Sequence, residues 1–335
     1  MILIHSWGLG SAIQPESARP GHAVRGYLLI AGATLCWGVS AAVGKAVFSG
    51  RLLGGEAARI DPLILSQTRT TLAFLLLLPV VVAARGRRLL AFRFVDWLKC
   101  LLVGFAGISG SNFFYYVAIQ RTTVALGITL QYFAPILVLF YMLARHRQRP
   151  TAGRVLGVVL AVAGSALAIG LLGERWRLDA IGVAAGLASA VAFSFYTVLG
   201  RSLIATYDRW AVFLYALLGS ALCWSVINPP WKILAAHYTA AQWEFLLAFA
   251  VVSVGLGYSL YFAGLQYLDP TRAIVTSCLE AVFAIVIAAV YPGERPTWLQ
   301  LLGIATVLFA TVLVQLPGRA ERAEAASEEM GLPGG

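Results

Sequence analysis

Ten apolar runs of about 20 residues each constrain this chain more than any other feature of its sequence. A helix of that length can cross the hydrocarbon core of a bilayer, where the backbone must satisfy its own hydrogen bonds. The runs therefore predict an all-α polytopic membrane protein with ten transmembrane helices. The predicted crossings are residues 27–48, 62–84, 97–119, 122–144, 153–172, 179–200, 209–228, 243–266, 270–290 and 297–316.

The composition excludes soluble classes of protein. Of the 335 residues, 60% are hydrophobic and only 12% are charged, whereas an ordinary soluble domain carries about 25% charged residues. A soluble fold of this size could not hide so much apolar surface from water. The four cysteines lie within or beside apolar runs without CxxC spacing, so they predict packing residues and not disulfides or metal ligands.

The basic residues indicate how the helices are oriented. Of the 25 lysines and arginines, sixteen fall in the segments on the side of the termini, seven on the other side and two within helices. The net charge of +10 therefore reflects membrane orientation and not nucleic-acid binding. We expect a multi-pass inner-membrane protein with both termini in the cytoplasm, an N-terminal tail over 1–25 and a disordered C-terminal tail over 317–335.

Two connections between predicted crossings are very short. Only Gln120 and Arg121 separate the third crossing from the fourth, which predicts a tight helical hairpin. The eighth and ninth crossings are joined by residues 267–269 ahead of Pro270, a residue suited to the first turn of a helix.

The chain contains an internal repeat. Gly26 aligns with Gly182 and Trp37 with Phe193, and the Arg-Pro-Thr sequence at 149–151 recurs at 295–297. Two repeats follow, over 26–172 and 179–316, each with five crossings. Because five is odd, the second repeat must enter the membrane inverted relative to the first. Inverted repeats of this kind are typical of secondary transporters that work by alternating access.

Five short motifs, taken in order, resemble those of the EamA-type branch of the drug/metabolite transporter (DMT) superfamily. The resemblance implies a ten-helix transporter of small metabolites, often an exporter of amino acids or drug-like compounds. Two positions depart from the pattern: Ala281 replaces a proline, and the first repeat has Arg-His-Arg-Gln-Arg at 145–149 in place of Gly-Glu-Arg. The motifs are Ala-Thr-Leu-Cys-Trp-Gly at 33–38, Gln-Thr-Arg at 67–69, Leu-Gln-Tyr-Phe-Ala-Pro at 130–135, Leu-Glu-Ala-Val at 279–282 and Gly-Glu-Arg-Pro at 293–296.

Three charged residues inside the crossings are candidates for substrate binding or coupling, because an ionisable group in lipid normally faces a bundle interior or a wet cavity. Glu280, ten residues into the ninth helix, is either a site that exchanges a proton for cargo or a buried carboxyl bonded to a neighbouring helix. Arg69 either binds an anionic group of the substrate or pairs structurally with Glu280. Lys45 either binds such a group or extends towards the membrane interface.

Uncharged residues complete the candidate site. Asn112 and Gln131, the latter placed by the repeat opposite Glu280, either bind a zwitterion or hold helices together. Four aromatic residues either line an apolar cavity or pack between helices: Trp37, Tyr115, Tyr132 and Tyr258.

The remaining patterns argue against other chemistry. The glycine-rich run at 38–45 has the wrong spacing for a phosphate loop and lies within an apolar helix. We expect no cofactor and no metal, since the histidines lack ligand spacing. The predicted function is a secondary transporter of small molecules, driven either by coupling to protons or by the gradient of its cargo, that acts as a monomer or homodimer in the bilayer. The alternatives are a membrane-embedded enzyme acting on a lipid-linked substrate, and a structural or assembly protein.

Overall fold

The computed structural model describes residues 20–48, 60, 62–146, 151–173, 179–290 and 296–315. These residues form ten helical spans and no β-strand, which confirms the predicted all-α polytopic class. We number the spans in chain order: α1 Pro20–Phe48, α2 Pro62–Arg85, α3 Phe94–Arg121, α4 Val124–Gln131 with Ala134–His146, α5 Ala152–Ala168, α6 Ala180–Ile204, α7 Arg209–Ile227, α8 Ala240–Gly264, α9 Pro270–Ser277 with Leu279–Val290, and α10 Trp298–Gln315.

Nine of these spans are long and apolar enough to cross a bilayer. The remaining one, α5, is apolar over 17 residues, which is the lower limit of about 17 for a crossing helix. The described ends differ from the predicted ones at α1, which begins at Pro20 inside the predicted N-terminal tail. Within the predicted loop 229–242 lies a short helix, Trp231–Ala235. The predicted tail 317–335 lies outside the described residues.

Side chains that can accept a backbone hydrogen bond mark the starts of several helices. Asp269 caps α9 with Pro270 in its first turn, as predicted, and Asp179 and Asp208 cap α6 and α7. The tight hairpin predicted between α3 and α4 is present, but its turn lies two residues later than predicted. Helix α3 runs through Arg121, and Thr123 caps α4, because its hydroxyl accepts the N–H of Leu126 at 3.2 Å.

Helices α4 and α9 are both interrupted near their midpoints. In α4 the regular helix stops after Gln131 and resumes at Ala134, and in α9 it stops after Ser277 and resumes at Leu279. When the repeats are aligned with Gln131 on Glu280, the two interruptions lie within a few residues of each other, just after Gln131 in α4 and just before Glu280 in α9. Interrupted helices of this kind are a feature of transporter binding sites, since they bring backbone polar groups to the level of the cavity.

Helices α3 and α8 share a different irregularity. Each contains a seven-residue π-helical stretch, Val103–Ser109 in α3 and Ala250–Leu256 in α8, and each stretch is followed by a glycine. A π-helical insertion changes the register of the helix by one residue, and such insertions are frequent at functional sites. The two π-helical stretches therefore align α3 with α8, so that residue 110 corresponds to residue 257.

The packing of the ten helices has the same twofold pattern. Helix α1 packs against α8 and α9, while its counterpart α6 packs against α3 and α4. Helices α2 and α7 contact each other, and so do α5 and α10. Equivalent glycines make equivalent contacts: Gly26 lies against Leu268 after α8, and Gly182 lies against Arg121 at the end of α3. These glycines thus allow close packing of the helices.

One end of the bundle contains the connecting residues 86–93, 205–208 and 265–269 together with several ion pairs, and we call it the basic end. Asp208 lies 3.7 Å from Arg85, and Asp269 lies 3.3 Å from Arg272 and 3.9 Å from Arg154. Tyr207 donates to Asp96 at 2.7 Å. Burial and this bond raise the pKa of the Tyr207 hydroxyl, so it stays protonated and can donate at neutral pH.

Candidate functional site

Arg69 on α2 is the cationic centre of the candidate site. Its guanidinium donates to Asn112 Oδ1 at 2.7 Å and lies 6.0 Å from the centre of the Phe249 ring. The Nε atom is buried without a hydrogen-bond partner, while the residue as a whole is partly exposed. Arg69 therefore keeps donors that no described residue uses, which is the property required of an anion-binding group.

Asn112 holds this guanidinium in place from α3. Its side-chain nitrogen donates to Ile108 O at 2.7 Å and lies 3.4 Å from the Tyr258 hydroxyl. One asparagine thus joins α2, α3 and α8. The two interpretations offered by the sequence coincide here, since Asn112 connects helices and at the same time orients a charged group.

Aromatic rings form a wall beside Arg69. The Trp37 ring lies 5.1 Å from the ring of Tyr258 and 5.3 Å from that of Tyr261, and its Nε1 donates to Ser253 O at 3.2 Å. Tyr196 continues the wall at 6.1 Å from Tyr258. The wall is mostly buried, and Trp37 is its partly exposed member. Of the aromatic candidates, Trp37 and Tyr258 are brought together.

Glu280 is the second residue of the second segment of α9, just after the interruption. Its carboxylate makes no hydrogen bond and no ion pair with any described residue, and its side chain is partly exposed within the bundle. It interacts electrostatically with Arg69 at longer range, so the direct Arg69–Glu280 pair considered from the sequence is absent among the described residues. Gly38 of α1 lies against its backbone, which fixes the helix but leaves the carboxylate free.

Gln131 ends the first segment of α4, at the place equivalent to Glu280. Its amide nitrogen donates to Ser111 Oγ at 3.0 Å and to Ser189 Oγ at 2.9 Å. Ser111 and Ser189 belong to α3 and α6, so this amide connects three helices. Unlike Glu280, Gln131 is held by specific hydrogen bonds.

The remaining predicted residues are more peripheral. Tyr115 is partly exposed, lies three residues after Asn112 and interacts electrostatically with Glu280 and Arg69. Tyr132 is only 3% exposed and packs in a core cluster with Val275 and Leu279, which matches the packing interpretation. Lys45 lies on α1, and its side chain is outside the described residues.

Sequence reasoning missed four members of the site: Ser111, Ser189, Tyr196 and Tyr261. Serines are common in membrane helices as packing residues, so their positions alone carry little information. A signal existed in the spacing of α3, where Ser111, Asn112 and Tyr115 all fall within five residues. In the described part of the chain no cluster of three or more His, Cys, Asp or Glu could hold a metal ion.

Comparisons with known proteins agree with this architecture. The model of the EamA-like transporter family matches residues 24–170 and again residues 180–316. The uncharacterized inner membrane transporter YicL of Salmonella typhimurium is 25% identical over 82% of this chain and 95% of its own length. The threonine/homoserine exporter RhtA of Escherichia coli K12 is 27% identical over 65% of this chain and 72% of its own length.

A solved crystal structure supports the fold alone. It matches 91% of this chain and all of its own chain with a TM-score of 0.71, at 18% sequence identity. The names of the family and of these relatives indicate a membrane transporter and not an enzyme.

Proposed function

The chain belongs to the EamA-like transporter family, and on that premise we propose that it exports small zwitterionic metabolites, amino acids among them, across the inner membrane by alternating access. Membership of the family makes it a membrane transporter, and the proposal adds the substrate class, the direction and the mechanism. The observation that carries the proposal is the pair of opposite charges inside the bundle, Arg69 and Glu280, neither of which uses up its binding capacity on the protein.

The geometry favours a zwitterion because each charge can serve one end of the ligand. Arg69, oriented by Asn112, can donate to a carboxylate in the planar arrangement that a guanidinium provides. Glu280 can accept from an ammonium group. Burying a ligand with both charges between these residues leaves no net uncompensated charge in a low-dielectric site. The RhtA relatives, which share 27% identity, are named as exporters of threonine and homoserine.

Alternating access is supported by the duplicated packing. The contacts of α1 with α8 correspond to the contacts of α6 with α3. If each repeat adopts the conformation that the other one has, the protein passes from one conformation to a second one with equivalent contacts. With five crossings in each repeat, the second is inverted, so the two arrangements open to opposite sides of the membrane. We assign the basic end to the cytoplasm because cytoplasmic segments carry an excess of lysine and arginine.

Proton coupling is assigned to Glu280. A carboxylate without a hydrogen-bond partner can be neutralised either by a proton or by the ammonium of a ligand, but not by both together. Binding of cargo therefore displaces the proton, and return of the empty carrier requires a proton to bind again. This competition couples export of the cargo to import of a proton.

The test is counterflow into proteoliposomes that contain the purified protein and an excess of unlabelled amino acids. We expect labelled L-threonine to accumulate transiently in wild-type vesicles. The variant Arg69→Gln should lower this uptake at least about tenfold, equivalent to about 1.4 kcal/mol of binding. The control variant Arg121→Gln, which changes an exposed arginine at the end of α3, should transport normally. Wild-type vesicles that exchange no amino acid of any class would refute the proposed substrate class.

A further inference from the structure

The hydrogen bonds around Gln131 determine which side of its amide faces the cavity. The Ser189 hydroxyl donates its single proton to the backbone oxygen of Ser111 at 2.8 Å. Towards Gln131, 2.9 Å away, the same hydroxyl can therefore only accept. The group of Gln131 that faces Ser189 must be the NH2 group, whichever way the amide is drawn.

The second proton of the same NH2 group is also engaged. Ser111 Oγ lies 3.0 Å from Gln131 Nε2 and accepts it. Both donors of the amide are then used on the two serines. The carbonyl oxygen, Oε1, has no hydrogen-bond partner among the described residues and is not a buried unsatisfied atom, so it is open to the interior space. Gln131 thus presents an acceptor and no donor.

Helix α3 connects this acceptor to the charged residues. Ser111, which holds the amide, immediately precedes Asn112, which holds Arg69. Tyr115, one turn further along α3, interacts electrostatically with both Arg69 and Glu280. Helix α3 therefore holds Arg69 and the fixed acceptor Gln131 by hydrogen bonds, and its Tyr115 interacts electrostatically with Glu280.

We infer that Gln131 is a specificity-determining residue that recognises the ammonium group of the ligand through Oε1, and that Ser111 and Ser189 are positioning residues that lock its amide in this orientation. The inference rests on the proposed function and adds a selection rule to it. A free amide can rotate to offer NH2 to an anion, whereas the locked amide rejects a ligand that has no donor to place there. A buried acceptor left without a donor is unfavourable.

The test compares two ligands that differ only at the group in question. L-threonine carries an α-ammonium, and 3-hydroxybutyrate has hydrogen in its place while keeping the carboxylate and the hydroxyl. Titration calorimetry on the full-length protein in detergent gives the ratio of their dissociation constants. We expect wild-type protein to favour L-threonine strongly. The variant Gln131→Met, which is similar in length but has no amide, should reduce that preference at least about tenfold.

A comparison of two serine variants distinguishes the orientation of the Gln131 amide from a general effect on helix packing. Ser189→Ala removes the acceptor that fixes the amide, so the preference for L-threonine should fall about threefold to tenfold. Ser194→Ala is the matched control on the same helix, because Ser194 donates only to the backbone oxygens of Ala190 and Ala134. The control should keep the wild-type ratio. If Gln131→Met does not fold, the comparison of the two serine variants decides the question.

The outcomes distinguish this inference from the proposed function. If Gln131→Met and Ser189→Ala weaken the binding of both ligands equally, the cluster only supports the helices. That result would overturn the inference but would leave the proposed transport of zwitterions unaffected. A wild-type protein that does not distinguish the two ligands would overturn it as well. A wild-type protein that binds no amine-bearing amino acid would overturn the proposed substrate class and the inference together.

Discussion

The two interrupted helices occupy equivalent places in the two repeats but differ in chemistry. In α4 the residue before the interruption is Gln131, whose amide is bonded to Ser111 and Ser189. In α9 the equivalent residue, just after the interruption, is Glu280, which has no hydrogen-bond partner among the described residues. The first position is neutral and fixed, and the second is ionisable and free.

The same difference recurs elsewhere in the molecule. Asn112 of α3 bridges to α2 and α8, whereas its counterpart Ser259 in α8 donates to Gly255 of its own helix. Trp37 of α1 donates to the π-helical stretch of α8, and its counterpart Phe193 has no donor to offer. In the proposed mechanism the duplicated scaffold supplies the geometry of two conformations, while residues that differ between the repeats supply the binding and coupling.

The largest effect is expected where the two interruptions are made alike. Glu280→Gln places a neutral amide in both helices and removes the group to which we assign the exchange of a proton for cargo. Accumulation of L-threonine driven by an imposed pH gradient should fall at least about tenfold, while exchange without a gradient persists. Glu244→Gln, at an exposed glutamate of α8, is the control. Gradient-driven uptake by Glu280→Gln at the wild-type level would contradict the assignment.

The next effect concerns two equivalent glycines between α5 and α10. A Cβ atom at Gly303 would overlap the backbone nitrogen of Ala168, which cannot move away, whereas one at Gly157 would meet the Val314 side chain. We expect Gly303→Ala to destabilise the protein by about 1–3 kcal/mol and Gly157→Ala by less. Thermal unfolding in detergent measures this. Gly153→Ala, whose Cβ would lie 3.6 Å from Leu313 O, should be tolerated. Equal stability of all three variants would show that the contacts are not tight.

A smaller effect is expected at the bridge between α2 and α3. Asn112→Ala removes the acceptor that orients Arg69, and a hydrogen bond to a charged group contributes about 1.5–3 kcal/mol. The KM for L-threonine in counterflow should rise about tenfold or more. Ser259→Ala, at the counterpart in the second repeat, should change KM less than about twofold. Similar changes in both variants would remove the distinction between the repeats.

The smallest effect is expected at the contact of α1 with the π-helical stretch of α8. Trp37→Phe makes α1 resemble α6 and removes the bond to Ser253 O, at a cost of about 1 kcal/mol in stability. The midpoint of thermal unfolding should fall by a few degrees at most. Trp298→Phe, at a ring that is 70% exposed, is the control and should leave the midpoint unchanged. If the midpoint falls further in Trp298→Phe than in Trp37→Phe, the bond to Ser253 O does not explain the loss of stability.

Hydrophobicity and helix capping were sufficient to predict the helices, because both depend on residues that are close together in the sequence. The ten spans and the start of α9 at Pro270 follow directly from them. The interruption of α4 had a signal in Pro135, which has no N–H to continue the ladder of the preceding turn. In α9 no proline lies between residues 271 and 290, and Ala281 stands after Glu280 where the family has a proline. The interruption of α9 therefore could not be predicted from the sequence.

The sequence indicated several of the polar residues that the structure brings together, but not the contacts between them. Glu280, Arg69, Asn112 and Gln131 stand out as polar residues in apolar runs. Which of them meet depends on helix packing: Arg69 bonds Asn112 and not Glu280 because α2, α3 and α8 converge there. The serines that hold Gln131 come from two different helices, and sequence spacing cannot pair residues across helices.

The most direct test of the account is the number of protons released when ligand binds. Calorimetric titration of L-threonine into the protein at neutral pH, repeated in buffers of different ionisation enthalpy, measures that number. The account predicts release from the wild-type protein and from Gln131→Met, and no release from Glu280→Gln, although that variant still binds. Equal proton release by the wild type and Glu280→Gln would contradict the claim that the free carboxylate of α9 couples transport to protons.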